Sequence, residues 1–280
     1  MATVGIATGA GRGMGLACAR LLPTLVDHVI MLDMVEETVV KAAQEVAASA
    51  PGVTVEPFVA DVTDQAALDE LAARVAEKGT LRAVAHAAGI SPTMAGWRRI
   101  FEVDLIGTAR LAQALRPLST LGTATVNFAS MAAVLRAPTP QDAELDKLLA
   151  DPLQDGFLDK VKEAASEDLE NPGLAYSLAK RGVKVFTQRE AIRLGPAGAR
   201  VVSLSPGLID TPQGRQEAQE HPSIAMMLQA TPLQRMGEPE EIAKMVTFAL
   251  SDGASFLNGI DLLVDGGVVA AITAHASGWH

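Results

Sequence analysis

A doubly wound α/β fold, with helices covering both faces of one parallel sheet, is what this sequence predicts. Three observations carry the prediction. Short, nearly continuous apolar runs recur along the chain, and amphipathic segments of helical period lie between most of them. A glycine-rich turn, TGAGRGMG (8–15), stands between the first run and the first helical segment. Apolar runs of this kind belong to strands buried on both faces, and the intervening helices make the sheet parallel.

Taken in order, TVGIAT (3–8) is the first strand and 14–25 the first helix. HVIMLD (28–33) and TVEPFVAD (54–61) are the second and third strands, each followed by a helical pattern, at 36–49 and 64–78. LRAVAHAAG (81–89) is the fourth strand with its exit loop, and 97–116 the helix that returns from it. TATVNFAS (123–130) is the fifth strand. LAYSLAKRGVKVFTQREAIRL (174–194) is a helical run stopped by Gly195-Pro196, and ARVVSLSPG (199–207) is the sixth strand. A helix at 238–250 and GIDLLVDGG (259–267) as the seventh strand complete the pattern. With no internal repeat, low-complexity tract or linker, residues 1–280 are expected to form one domain.

Residues 137–172 break the rhythm. Ten acidic residues and three lysines give this stretch a net charge of −7, against −10 for the whole chain. It still carries helical faces: Leu145, Leu148 and Leu149 share one, and Phe157, Leu158, Val161 and Ala165 another. Thr139-Pro140 reads as an N-cap and first-turn pair. Two short amphipathic helices inserted after the fifth strand are expected. A solvated acidic surface, a wall of the substrate pocket and a subunit contact all stay open for them.

Composition narrows the function classes. Hydrophobic residues at 49% and charged residues at 20% describe a folded globular chain rather than a disordered one. No apolar stretch reaches the roughly 20 residues needed to span a bilayer, and MATVGIATGAGRG lacks a basic leader followed by an apolar run, so no membrane and no signal peptide are expected. Cys18 is the single cysteine and cannot form an intrachain disulfide, which fits a reducing cytoplasm. The histidines at 28, 86, 221, 275 and 280 have no metal-ligand spacing, so no metal is expected. The net negative charge argues against nucleic acid.

The glycine turn is where chemistry enters. Gly9 and Gly13 allow a tight turn and close approach to a pyrophosphate, Gly15 lets the helix pack against the sheet, and free N–H groups at the helix start face the negative charge. Such a Rossmann-type turn holds a dinucleotide, with Arg12 and Met14 also in the turn. Asp33 ends the second strand, where a carboxylate accepts both ribose hydroxyls of NAD and repels a 2′-phosphate. Arg12 is a cation that would hold that phosphate. Asp33 lies against the ribose itself and Met34 brings no positive charge, so NAD(H) is favoured over NADP(H). Asp61, followed by Val62, ends the third strand. Its carboxylate either meets the adenine amino group or caps the turn with Thr63.

Tyr176 is the only tyrosine in the chain, and Lys180, one of eight lysines, follows it by one helical turn. TGAGRGMG, HAAG (86–89), Ser130 after the fifth strand, YSLAK (176–180) and SPGLIDT (205–211) occur in the order of the short-chain dehydrogenases/reductases, which the chain resembles over nearly its whole length, residues 137–172 excepted. The resemblance implies that Tyr176 is the acid/base, that Lys180 holds the nicotinamide ribose and tunes the phenol, and that Ser130 orients the substrate carbonyl. It also implies close approach of Ala88 and Gly89 to the cofactor, and contacts from Ile209 and Thr211 to the nicotinamide carboxamide.

The chemistry is sound in its own right. A free tyrosine loses its proton near pH 10. A lysine ammonium one turn away and the positive nicotinamide ring both favour phenolate. Such a phenol takes the proton of an alcohol as its hydride leaves, and reverses both steps for a ketone. The Ser130 hydroxyl steadies the developing oxyanion.

Two positions depart from the family. Its fourth helix usually carries an asparagine that supports a proton-relay water, and EVDLIG puts Asp104 there. An ionised aspartate accepts hydrogen bonds but cannot donate one. Relay through its backbone carbonyl stays open, and Asp104 is not counted as catalytic. HAAG replaces NNAG, with His86 read as a core residue. Residues 208–236 are expected to form the substrate lid, with Ile224, Met226, Met227 and Leu228 as an apolar face, and the C-terminal VVAAITAHASGWH also to reach a pocket.

The insert, with NPGLAYSLAK after it, resembles the bacterial hydroxysteroid dehydrogenase/carbonyl reductase branch of the family and implies an apolar, steroid-like alcohol or ketone. The resemblance also implies a homodimer or homotetramer, with the insert beside helices the family uses for assembly. The leading expectation is an NAD(H)-dependent oxidoreductase of secondary alcohols and ketones. A 3-oxoacyl thioester reductase, with GWRR (96–99) as its basic patch, and a non-catalytic NAD(H)-binding regulator are the alternatives.

Overall fold

The computed structural model describes residues 1–135, 142–165, 169–220 and 222–277. Seven parallel strands form one sheet in the order β3-β2-β1-β4-β5-β6-β7. They are β1 (Thr3–Thr8), β2 (His28–Asp33), β3 (Thr54–Val59), β4 (Thr80–His86), β5 (Ala124–Phe128), β6 (Arg200–Pro206) and β7 (Asp261–Val264). The order runs outward in both directions from β1 and β4, and their carboxyl ends mark the point where the winding reverses. That point is where this class of sheet opens a crevice.

One face of the sheet is covered by α1 (Gly13–Leu21), α2 (Glu36–Ser49) and α12 (Pro239–Leu250). Ala17, Val39, Val46, Ile242 and Val246 pack there on Ala7, Met31 and Val126. The other face takes α3 (Gln65–Lys78), the run α4 (Trp97–Phe101) to α5 (Gly107–Leu115), and α9 (Pro172–Leu194). Leu68, Leu71 and Val75 of α3 pack on Ile6, Ile30 and Val84 from the opposite faces of the same strands.

Local chemistry sets the helix boundaries. Asp64 caps α3 by accepting from the Ala66 and Ala67 amides. Asn171 caps α9 by accepting from Gly173 and Leu174, with Pro172 at the first helical position. Glu238 and Glu241 form a reciprocal capping box ahead of Pro239 in α12. The first helix ends earlier than the sequence pattern implies. Pro23 has no amide proton to continue α1, so Leu22–Thr24 tighten into a 3-10 turn. Between α4 and α5 the chain runs through a π-helical turn, Glu102–Ile106, which the sequence pattern does not announce.

The insert holds the two expected helices, α7 (Asp142–Leu149) and α8 (Phe157–Ala164), while Thr139-Pro140 lies outside the described residues. Leu145, Leu149, Phe157 and Val161 are buried with Trp97, Phe101, Leu105, Leu178 and Phe186 of α4, α9 and the turn between α4 and α5. Basic residues of α4 and α9 answer the acidic charge. Arg181 pairs with Asp142 and Asp146, Arg98 with Asp159, and Arg189 with Asp151. The insert is therefore packed structure laid over α4 and α9. Arg98 and Arg99 of GWRR are engaged within the chain, Arg99 with Asp61 at 2.7 Å.

Cys18 is buried, and burial pushes its thiol up to about 12, so it stays protonated and inert. Among the described residues no helix is long and apolar enough to cross a membrane, and no group of three or more His, Cys, Asp or Glu is placed to hold a metal.

Leu149 is fully buried between the insert and the body. Leu149→Ala is expected to lower unfolding free energy by about 2–5 kcal/mol, read as a lower urea midpoint. A loss below about 0.5 kcal/mol would place the insert outside the cooperative core.

Candidate active site

At the carboxyl ends of β1, β4, β5 and β6 a cavity of about 970 Å³ opens over the sheet. Every residue assigned above to cofactor binding or catalysis lines it, from the glycine turn through Asp33, Asp61, Gly89 and Ser130 to Tyr176, Lys180 and Thr211.

The glycine turn fits a phosphate because it has no side chains to obstruct one. Gly9 and Gly13 have φ of +62° and +57°, and both lie in the left-handed region that glycine tolerates. A methyl group on Gly9 would lie 3.0 Å from the Ala88 backbone, and one on Gly15 would run into the Gly9 carbonyl. The first turn of α1 thus presents its N–H groups to the cavity with no capping side chain, and Arg12 is exposed at that rim. Asp33 buttresses the turn. Its Oδ2 accepts from the Gly11 amide at 2.9 Å and its Oδ1 from Val35 at 3.1 Å, leaving further acceptor capacity on both oxygens toward the cavity.

Asp61 takes the capping geometry. Its Oδ1 accepts from the Thr63 amide and hydroxyl, both at 2.8 Å, while Oδ2 pairs with Arg99. These contacts hold its carboxyl below the usual range against the opposing effect of partial burial. Arg99 itself lines the cavity. The sequence marks Arg99 only as part of the basic GWRR and not as a neighbour of Asp61, because that partner lies 38 residues away on another element.

The inner wall is built by α9. Tyr176 and Lys180 share one face a turn apart, with the Lys180 ammonium 5.7 Å from the tyrosine ring centre. Lys180 is buried; its Nζ donates to the Phe128 carbonyl at 3.1 Å and lies 3.8 Å from Asp104 Oδ1. A side chain on Gly89 would collide with both, 2.9 Å from Asp104 Oδ1 and 3.1 Å from Nζ. Ser130 faces the same space from the end of β5. Its Oγ accepts from the Ala132 amide at 3.2 Å, which leaves its own proton free to donate into the cavity.

His86 is the satisfied core residue expected of it, and its hydrogen bonds have one consistent direction. The Ala88 amide donates to Thr8 Oγ1, whose proton goes to His86 Nδ1 at 2.8 Å. His86 Nε2 donates to Thr108 Oγ1 at 3.0 Å, and Thr108 donates to the Asp104 carbonyl at 2.7 Å. The imidazole is neutral: burial first, and the Lys180 charge second, lower it to about 3. The carbonyl on which a relay would draw is thus already engaged by Thr108. The Asp104 side chain is fully buried, its Oδ1 accepts from the Ile90 amide at 2.8 Å, and its Oδ2 has no partner among the described residues.

The outer wall is apolar: Met94, Leu135, Pro172, Ile224 and Met227 line it. Within the expected lid face, Ile224 and Met227, three apart on α11 (Pro222–Ala230), turn inward, whereas Met226 is 65% exposed. The same expected segment also holds α10 (Pro212–Glu220). The C-terminal helix α13 (Val268–Ala276) packs against α11 and the short α6 (Ala132–Leu135), outside the cavity lining. Residues 278–280 lie outside the described residues.

The His86 assignment has a direct consequence for stability. An unfolded histidine takes a proton near pH 6.5, and the folded one only near pH 3. Between those values the unfolded state binds more protons, so stability falls as pH falls from 6.5 toward 3, at about 1.4 kcal/mol per unit. His86→Asn removes the titration and is expected to flatten that limb of a urea-stability profile. Parallel loss in both proteins would show that another group drives it.

Comparison with known proteins agrees with this architecture. The family model described as enoyl-(acyl carrier protein) reductase matches residues 9–147 and 162–269. A cis-4-hydroxycyclohexanecarboxylate dehydrogenase of Sinomonas cyclohexanicum is 32% identical, over 95% of this chain and 96% of its own. A cyclohexanol dehydrogenase of Acinetobacter sp. strain SE19 is 30% identical, over 94% and 93%. The solved structure of a short-chain type dehydrogenase/reductase from Mycobacterium ulcerans superposes with a TM-score of 0.75 at 27% identity, over 96% and 90%. A seven-stranded parallel sheet wound outward from β1 and β4, a glycine turn at their switch point and this similarity along the whole chain make it a member of the short-chain dehydrogenase/reductase family.

Proposed function

We propose that this protein is an NAD(H)-dependent oxidoreductase that interconverts an apolar secondary alcohol and its ketone. The observation that carries the reading is the buried Lys180 set against Tyr176 in the cavity that also holds the glycine turn and Ser130. The glycine turn, the open N-terminus of α1 and Asp33 suit a dinucleotide, and a bound nicotinamide would supply or accept the hydride. Tyr176 takes the alcohol proton at its phenolic oxygen, with Lys180 favouring the phenolate. Ser130 donates to the substrate oxygen as negative charge builds there. The lid side chains exclude water from the reacting oxygen.

Asp33 supports NAD(H), since a 2′-phosphate beside it would meet a fixed carboxylate, and Arg12 at the rim is the opposing cation. The apolar outer wall, together with relatives named for cyclohexanol and hydroxycyclohexanecarboxylate, favours a cyclic alcohol, with steroids the largest candidates. The pairing of Arg98 with Asp159 and of Arg99 with Asp61 offsets the basic charge that the thioester-reductase reading calls on. A homo-oligomer formed by this chain would use a face other than the one the insert covers on α4 and α9.

The test is turnover of cyclohexanol, cyclopentanol, cis-4-hydroxycyclohexanecarboxylate and a 3-hydroxysteroid, each with NAD⁺ and NADP⁺. Tyr176→Phe is expected to lower kcat by at least about 10²-fold while nucleotide binding, followed by fluorescence, persists. Full turnover in that variant would remove the phenol from the mechanism. Asp33→Ala is expected to narrow the preference for NAD⁺ about tenfold, close to 1.4 kcal/mol. An unchanged cofactor ratio would assign the selection elsewhere.

A further inference from the structure

We propose that Asp104 is the counter-charge of Lys180, a positioning residue whose buried carboxylate offsets the lysine at Tyr176 and so sets the pH at which the phenol ionises. The inference rests on the reading of Tyr176 as the proton-transferring group. Its basis is geometric. Asp104 Oδ1 is 3.8 Å from Lys180 Nζ, with side-chain exposures of 0% and 6%, so neither charge has water to screen it. The second carboxylate oxygen is buried with no partner among the described residues, so Lys180 is the one cation that sustains the carboxylate there. Asp104 sits on the π-helical turn and is held toward Lys180 by the Ile90 amide.

The other ionisable groups on the surrounding elements are committed elsewhere. His86 on β4 is neutral between Thr8 and Thr108. On α9, Arg181 pairs with Asp142 and Asp146, and Lys184 with Asp261. On α4 and the π-helical turn, Arg99 pairs with Asp61 and Glu102. Asp104 and Lys180 therefore decide the local charge together. Burial pushes the Asp104 carboxyl up by more than Lys180 and the Ile90 amide pull it back, so the double variant below is what reads its charge. The two distances from Nζ put the carboxylate within about 10 Å of the Tyr176 ring. A unit charge at that range moves a phenol by about one pH unit.

The single tyrosine makes this directly measurable. The near-ultraviolet absorbance of phenolate in the full chain, without added nucleotide, reports Tyr176 alone and needs no turnover. Titration is followed over the range in which circular dichroism stays native. Asp104→Asn leaves Lys180 unopposed and is expected to lower the Tyr176 midpoint by about one unit. An unchanged midpoint overturns the proposal.

Asp104→Asn/Lys180→Met removes both charges and leaves no lone buried ion, so it serves if the single variant does not fold. The ammonium, 5.7 Å from the ring centre, acts on the phenol about twice as strongly as the carboxylate nearer 10 Å, so the double variant is expected to titrate about one unit above the parent. A midpoint about two units above the parent would show that Asp104 carries a proton and offsets nothing. Absence of turnover in the parent, with these shifts intact, would retire the enzyme reading and leave the charge pairing standing.

Discussion

The line of directed hydrogen bonds from the Ala88 amide through Thr8, His86 and Thr108 to the Asp104 carbonyl is the constraint on which the site depends. Thr8, His86 and Thr108 are all within 2% of full burial, and each donor has one acceptor in reach. Leaving one of them unsatisfied costs about 1–3 kcal/mol, so the line resists local rearrangement. It joins the ends of β1 and β4 to α5 and to the π-helical turn. The loop after β4 must then pass between Gly9 on one side and the Asp104–Lys180 pair on the other. The glycine turn and the Asp104–Lys180 pair are thereby held by one network at the mouth of the cavity.

The insert works on the same helices from outside. α9 carries Tyr176 and Lys180 on its inner face and meets α7 and α8 on its outer face, where Arg181 grips two carboxylates. The acidic composition of 137–172 marks a surface that needs basic partners, and α4 and α9 supply them. Buried apolar contacts provide most of the attachment, since exposed ion pairs contribute little individually. A helix packed on both sides holds its functional residues to a narrower range of positions than one open to solvent.

Much of this was legible in the sequence, and the reason is local. Strands, helices, the glycine turn and the Tyr176–Lys180 spacing are written in periodicity and in short motifs, and the structure places all seven strands within two or three residues of their apolar runs. What was not legible depends on partners distant in sequence. Arg99 finds Asp61 across 38 residues, and His86 finds Thr8 across 78. The intrachain partners of Asp61, Thr63 and Arg99, became visible only once they were placed around it. The π-helical turn leaves no mark in hydrophobic spacing, because one extra residue per turn over five residues hardly alters the pattern.

Three ionisable side chains, His86, Asp104 and Lys180, are buried together, and an interior of low dielectric cannot hold all of them charged at random. Burial and the nearby ammonium act in the same direction on the imidazole, which gives up its charge. They act in opposite directions on the Asp104 carboxyl, where burial raises it and the ammonium lowers it. The asymmetry follows from sign alone: a cation suppresses a second cation and sustains an anion. Tyr176 stands over the same ammonium, so under the proposed pairing its ionisation shares this balance with the carboxylate at position 104.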